Sequence, residues 1–327
     1  CVVAVLGLAL LPLNVPGYMA LGMIAGLSTP PVQAAVRTIY PKLVNSSQLT
    51  PLFSLDASLQ EIIWVLAPVV ITLVSTQIGT AVGLLLVAVV LVGGGAWFIL
   101  SPEVGRVRIP RSRSALGKVV LKPPVLLATI IGFLLIGACS AVEVGVVATF
   151  EHGSLAAGLV LAVFAVGSLA GGLSFGHIPI GPWAMARRLT IVTVGLALTM
   201  FSLNEFWLGG TLIVAGIGVA PALAVLFAIT TASVKFSETA EAFGWAGTGQ
   251  LIGAAAGSAV AGFLVDATDP RGAYLAATLF AAAGLVVSIV FVRSFPDLRH
   301  RDASPHPDTE PLAVTPCLLY TSPSPRD

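Results

Sequence analysis

The run IIWVLAPVVITLVSTQIGTAVGLLLVAVVLVGGGAWFILSP, residues 62–102, contains no Asp, Glu, Lys or Arg. A helix crossing the hydrocarbon core of a bilayer needs about 20 apolar residues at about 1.5 Å of rise each, so this run holds two crossings with a break near 76–79. Further uncharged runs occupy 1–36, 123–142, 152–186, 189–204, 206–234, 242–265 and 272–292. Divided at their Gly and Pro turn signals, they predict helices near 1–12, 18–38, 57–76, 79–100, 124–148, 155–176, 188–204, 208–234, 242–265 and 272–293. The first is too short to span, which leaves nine complete spans and a stump.

Composition agrees. Of 327 residues, 57% are apolar and 9% charged, against about 25% in a soluble domain, and the mean hydropathy is +0.99. A net charge of +1 provides no field for nucleic acid. Cys1, Cys139 and Cys317 form no CxxC, and the four histidines have no ligand spacing, so neither a disulfide scaffold nor a metal site is expected. GxxxxGK[ST], HExxH and GxSxG are all absent, so the chain reads as no enzyme and calls for no cofactor. GTGQLIG at 247–253 imitates a phosphate loop but lies inside a span, where close helix packing explains it.

The ends are read separately. Cys1 opens inside an apolar run with no initiator Met, which reads as a truncated start. Residues 294–327 turn to Pro, Asp, Arg and Ser and are expected to be a disordered tail, with CLLYTSPSPRD at 317–327 an artefact resembling adaptor read-through.

If every span crosses once, fourteen of the Lys and Arg side chains up to Arg301 fall on one side and Arg271 alone on the other. The positive-inside rule makes the basic side cytoplasmic and ends the chain there, in a bacterial inner membrane. Laid on itself at an offset of 190, the chain pairs Asn14 with Asn204, Gly26 with Gly216, Pro31 with Pro221, Gln60 with Gln250 and Gly94 with Gly284. The organisation expected from this is a remnant N-terminal half at 1–100, a basic cytoplasmic linker at 101–123 and a six-helix half at 124–293.

Parallel repeats around a basic central linker resemble the major facilitator superfamily of secondary transporters. Local strings are similar too: LDASLQEIIWVLAP at 55–68, ACSAVEVGVVATFEHG at 138–153 and EAFGWAGTGQLIGAAAGSAVAGFLVDA at 241–267 look like helices five, seven and eleven of actinobacterial multidrug-efflux-like members. The resemblance implies an all-α polytopic membrane protein with two six-helix halves, of which the first two helices and part of the third are missing. The family's loop motif keeps Gly172, Gly176, Arg187 and Arg188 without its acid, and its helix-five antiporter motif survives only as Ala67-Pro68.

Within that frame, Gly167 and Gly171, Gly172 and Gly176, and Gly253 and Gly257 are small-xxx-small pairs that allow close helix approach, the eighth and eleventh helices being those at the family's seam. Pro31, Pro68 and Pro221 each remove a backbone hydrogen bond and should bend their spans. The family's central cavity is lined by helices one, four, seven and ten, which implies Gln33, Ser140, Glu143, Thr230 and Thr231 here; Gln60, Trp64, Trp245 and Gln250 could add contacts from spans five and eleven. Each could equally be an interhelical hydrogen bond or an interface anchor.

Glu143 and Glu61 are the acids available to carry protons. A charge at the bilayer centre costs on the order of 2.5–3.5 kcal/mol or more, so such an acid faces a cavity or stays protonated. Ser58-x-x-Glu61 also reads as a capping box at the start of span five, and Arg37 as an interface anchor. The expectation is a monomer in the lipid bilayer that exchanges protons for small amphipathic molecules by alternating access. Uptake of a sugar or other nutrient, or a non-transporting sensor, stays open beside it.

Overall fold

The computed structural model describes residues 1–107, 117–150 and 155–308, and these are helical almost throughout. The helices are α1 (Val2–Leu10), α2 (Val15–Leu27), α3 (Val32–Leu43), α4 (Ser46–Gln77), α5 (Thr80–Leu100), α6 (Pro102–Arg106), α7 (Pro123–Thr149), α8 (Leu155–Phe175), α9 (Ala184–Thr199), α10 (Glu205–Ala232), α11 (Thr239–Ala267) and α12 (Arg271–Val290). Among the described residues, seven segments are long and apolar enough to cross a membrane, α2 and α3 counting as one.

The 190-residue offset reappears in the helix limits. α2 and α10 start at 15 and 205, α4 and α11 end at 77 and 267, and α5 and α12 end at 100 and 290. Asn14 and Asn204 are both N-caps, their side-chain oxygens accepting from Gly17 N at 3.1 Å and Phe206 N at 3.0 Å. Such a cap satisfies one of the orphan donors of a helix's first turn. The pairing of α1 with α5 mirrors that of α9 with α12.

Two spans depart from expectation. Span four is broken rather than bent: α2 ends at Leu27, Pro31 is the residue capping α3, and Ser28–Pro31 lie between. Span five begins at Ser46, so the capping-box reading of Ser58 and Glu61 is wrong. Both residues are buried in the middle of α4. Pro68 falls within α4, with its side chain outside the described residues.

Lipid is as apolar as a protein core, so helices here associate through close van der Waals packing. α11 lies along α7, with Gly249, Gly253 and Gly257, one turn apart, against the backbone of Thr129, Phe133 and Gly137. Gly253 and Gly257 therefore pack α11 onto α7, and α11 meets the first half through α3. On α8, Gly167 and Gly171 face the backbone of Ile213 and Ile217 in α10, while Gly216 faces the Phe164 carbonyl. Pro221 lies inside α10 and has no N–H to give the Ile217 carbonyl, so the closest approach of α8 falls at the turn the proline weakens. Gly26 has open space beside it and packs nothing.

The linker and tail are more ordered than their composition suggests. Gly117, at φ +87°, donates its N–H to Glu241 at 2.7 Å, and Lys122 pairs with Glu238 at 2.5 Å, which fastens the end of the linker to the start of α11. Residues 108–116 of the linker lie outside the described residues. The tail expected to be disordered from 294 is docked as far as Asp308. Phe295, Leu298 and Ala303 are buried, Leu298 N donates to the Ile180 carbonyl at 2.8 Å, and His306 bridges to Lys235. Arg299 hydrogen-bonds to both oxygens of Asp297, holding that carboxyl at about 2. Three apolar anchors offset the ordering cost that composition alone did not reveal. The stretch 317–327 lies outside the described residues.

Candidate functional site

α4 meets the second half along α8 and α10. The two helices run antiparallel at this contact, with Ser54, Ser58 and Glu61 of α4 set against Gly176, Gly172 and Ser168 of α8. Ser54 Oγ donates to the Gly172 carbonyl at 2.5 Å, Ser58 is pressed against Gly172, and Ser168, one turn on, accepts the backbone N–H of Ala220 on α10 at 3.0 Å. Residues spaced three and four apart share a helix face, which is why the ladder forms. It turns one side of α4 polar where the surroundings are apolar.

Above that ladder a cavity of about 320 Å³ opens between α4, α7, α8 and α10. Glu61, Trp64, Ser140 and Glu143 line it, together with Cys139 and the apolar side chains of Ile136, Leu161, Phe164 and Leu223. Glu61 is 8% exposed. Glu143 is more open, because it also borders a second cavity of about 380 Å³ shared with Gly262, Val265 and Asp266 of α11. One carboxyl thus stands between two cavities, with Glu61 in one of them and Asp266 in the other. Ionised together they would repel through a medium that screens poorly, so gain or loss of a proton changes the local field strongly.

A separate polar cluster ties α3 to α4. Arg37 Nε pairs with Asp56 at 2.7 Å and its Nη2 donates to Gln60 Oε1 at 2.8 Å, while Tyr40 donates to Asp56 at 3.0 Å. The guanidinium also lies 3.7 Å from the centre of the Phe227 ring on α10. Arg37 is 4% exposed, so the interface-anchor reading is corrected. Desolvated guanidinium needs such partners, and it has all of them.

The other expected cavity residues divide. Gln33, Gln60 and Trp64 line an apolar cavity of about 650 Å³ beside α5. Thr230 and Thr231 are fully buried and donate to the carbonyls of Leu226 and Phe227 one turn back, a structural use. Gln250 is buried beside Gly132 and Leu226, and Trp245 donates to Glu241 at 3.4 Å. Sequence reasoning missed Ser168, Asp56 and Tyr40. Only the one-turn spacing of Ser168, Gly172 and Gly176 hinted at the first.

No curated protein matches the chain. The family model described as Major Facilitator Superfamily matches residues 189–322, which take in α10, α11, α12 and most of α9. The fold is therefore an all-α, multi-pass membrane fold of major-facilitator type, and the match supports a member of the Major Facilitator Superfamily.

Proposed function

We propose that this protein is a secondary transporter that exports small amphipathic molecules in exchange for protons, with Glu143 and Glu61 as the proton-carrying groups. The observation that carries the reading is the position of Glu143, which lines a cavity with Glu61 on one side and a cavity with Asp266 on the other. A carboxyl reachable from two cavities can take a proton from one and release it to the other as the halves rock. Trp64, Phe164 and the aliphatic walls suit an apolar or amphipathic substrate, and Ser140 offers it one hydroxyl.

In inverted membrane vesicles holding the full-length protein, an acid interior should drive accumulation of an amphipathic fluorescent dye, and an uncoupler should release it. Accumulation that ignores the pH gradient would rule out proton exchange. The accompanying topology places both the linker and the tail in the cytoplasm. In a background lacking native cysteines, cysteines at 78 and 205 should then react with an impermeant thiol reagent added to intact cells, and one at 45 should not. Labelling of position 45 from outside would invert the topology.

A further inference from the structure

Arg188, in the first turns of α9, is 5% exposed, as enclosed as Arg37 but without comparable partners. Its Nη1 donates to the Ala184 carbonyl of its own helix at 3.0 Å, its Nε is buried with no hydrogen-bond partner, and its Nη2 donates to nothing among the described residues. The Phe175 ring, at the end of α8, lies 5.8 Å from the guanidinium. Among the described residues no carboxylate pairs with it. Between 152 and 237 the sequence has one acid, Glu205, about 20 Å of helix away from the Gly218 that faces the Arg188 backbone. The neighbouring Arg187 is exposed and adds a second positive charge. A guanidinium taken out of water is costly unless opposite charge and hydrogen bonds offset it.

The helices around Arg188 leave a groove. α8 and α9 both pack on α10 and barely touch each other. Ile213 of α10 faces α8 and Ala215 faces α9, so Val214, about 100° round the helix from each, points out between them and is exposed. At the basic end of this groove Phe175 and Arg188 approach each other, beside the exposed Trp183 and a start of α9 that has no side-chain cap.

We infer that this end of the α8–α9 groove binds one anionic phospholipid, with a phosphate oxygen accepting from Arg188, Arg187 at the rim of the headgroup and an acyl chain along Val214. The occupant follows from charge and surroundings. Two cations without an acid call for an anion, an uncapped helix start favours one, and the guanidinium fork fits a phosphate. The groove that continues from them is apolar and faces hydrocarbon, so the ligand carries a chain as well as a phosphate. A zwitterionic headgroup would bring a cation of its own back to Arg187 and Arg188.

Native mass spectrometry of the full-length protein in detergent reads the binding directly. Phosphatidylglycerol should bind about tenfold tighter than phosphatidylcholine with the same chains. Arg188→Gln should weaken phosphatidylglycerol about tenfold, the worth of one hydrogen bond to a charged group. Val214→Trp, which fills the groove and leaves both cations in place, should weaken it by a similar factor. Inorganic phosphate at millimolar concentration should not displace the lipid.

Thermal unfolding separates a ligand contact from a packing role. Without lipid, Arg188→Gln removes an uncompensated buried charge and should leave the midpoint unchanged or raised. Added phosphatidylglycerol should then raise the midpoint of the unmodified protein more than that of the variant. A midpoint that falls equally in Arg188→Gln with and without lipid would make Arg188 a packing residue and overturn the inference. Equal binding of the two lipids, or unmodified binding by Arg188→Gln or Val214→Trp, would overturn it too. Displacement of the lipid by inorganic phosphate would make this a site for a free anion instead.

Discussion

Glu143→Gln in the full-length protein should abolish proton-driven efflux, lowering the rate on the order of 100-fold or more, while substrate binding is largely kept. Glutamine has the shape of the protonated acid and can still hydrogen-bond, but it cannot release a proton. Glu143 borders the cavities on both sides, so no neighbouring acid can stand in for it without reaching across α7. The measurement is dye efflux under an imposed pH gradient, paired with equilibrium binding of the same dye. Pumping at the unmodified rate would show that Glu143 is not the coupling group. Loss of binding together with transport would make it a substrate contact.

The largest effect on stability is expected at the α7–α11 contact. Gly253 faces the Phe133 backbone so closely that even a Cβ has no room, and Gly257 repeats this one turn later against Gly137. Gly253→Leu must push two helix backbones apart, and a backbone carbonyl cannot swing aside as a side chain end can. The cost should reach about 3 kcal/mol, the upper part of the usual overpacking range. Thermal unfolding in detergent should show a large fall in midpoint for Gly253→Leu and a smaller one for Gly253→Ala. Gly244→Ala, on the same helix with open space beside it, is the control and should change little. Equal behaviour at 244 and 253 would show that the close approach is not holding α11 in place.

The helical order and the repeat were legible in the chain itself. Long uncharged runs force helices, because a bilayer leaves no other partner for backbone N–H and C=O groups, and the 190-residue offset of Asn14 and Asn204 turned out to be that of two helix caps. The family's pattern also put Glu143 among the candidates and the scarcity of acids in the spans added Glu61, although neither could say that the two line one cavity. Errors came where a local motif was read without its surroundings. Ser58-x-x-Glu61 has the form of a capping box, yet the helix had already begun at Ser46. Arg37 has the look of an anchor at the end of a span, yet Asp56, Gln60 and Phe227 enclose it.

What only the tertiary structure decided is which face of each helix meets which neighbour. In water an amphipathic stripe marks the buried face of a helix, whereas α7, α8 and α10 are apolar nearly all round because lipid and protein interior make the same demand. Their sequences therefore hold little record of orientation. The shared cavity of Glu61 and Glu143, the grip of Ser168 on Ala220 and the docking of Phe295 and Leu298 all depend on side chains from helices far apart in the chain. The sequence by itself determined that the chain folds into membrane-crossing helices in a repeated order, since that follows from backbone hydrogen bonding in lipid; the meeting of its few polar groups was decided by glycines that let particular helices touch.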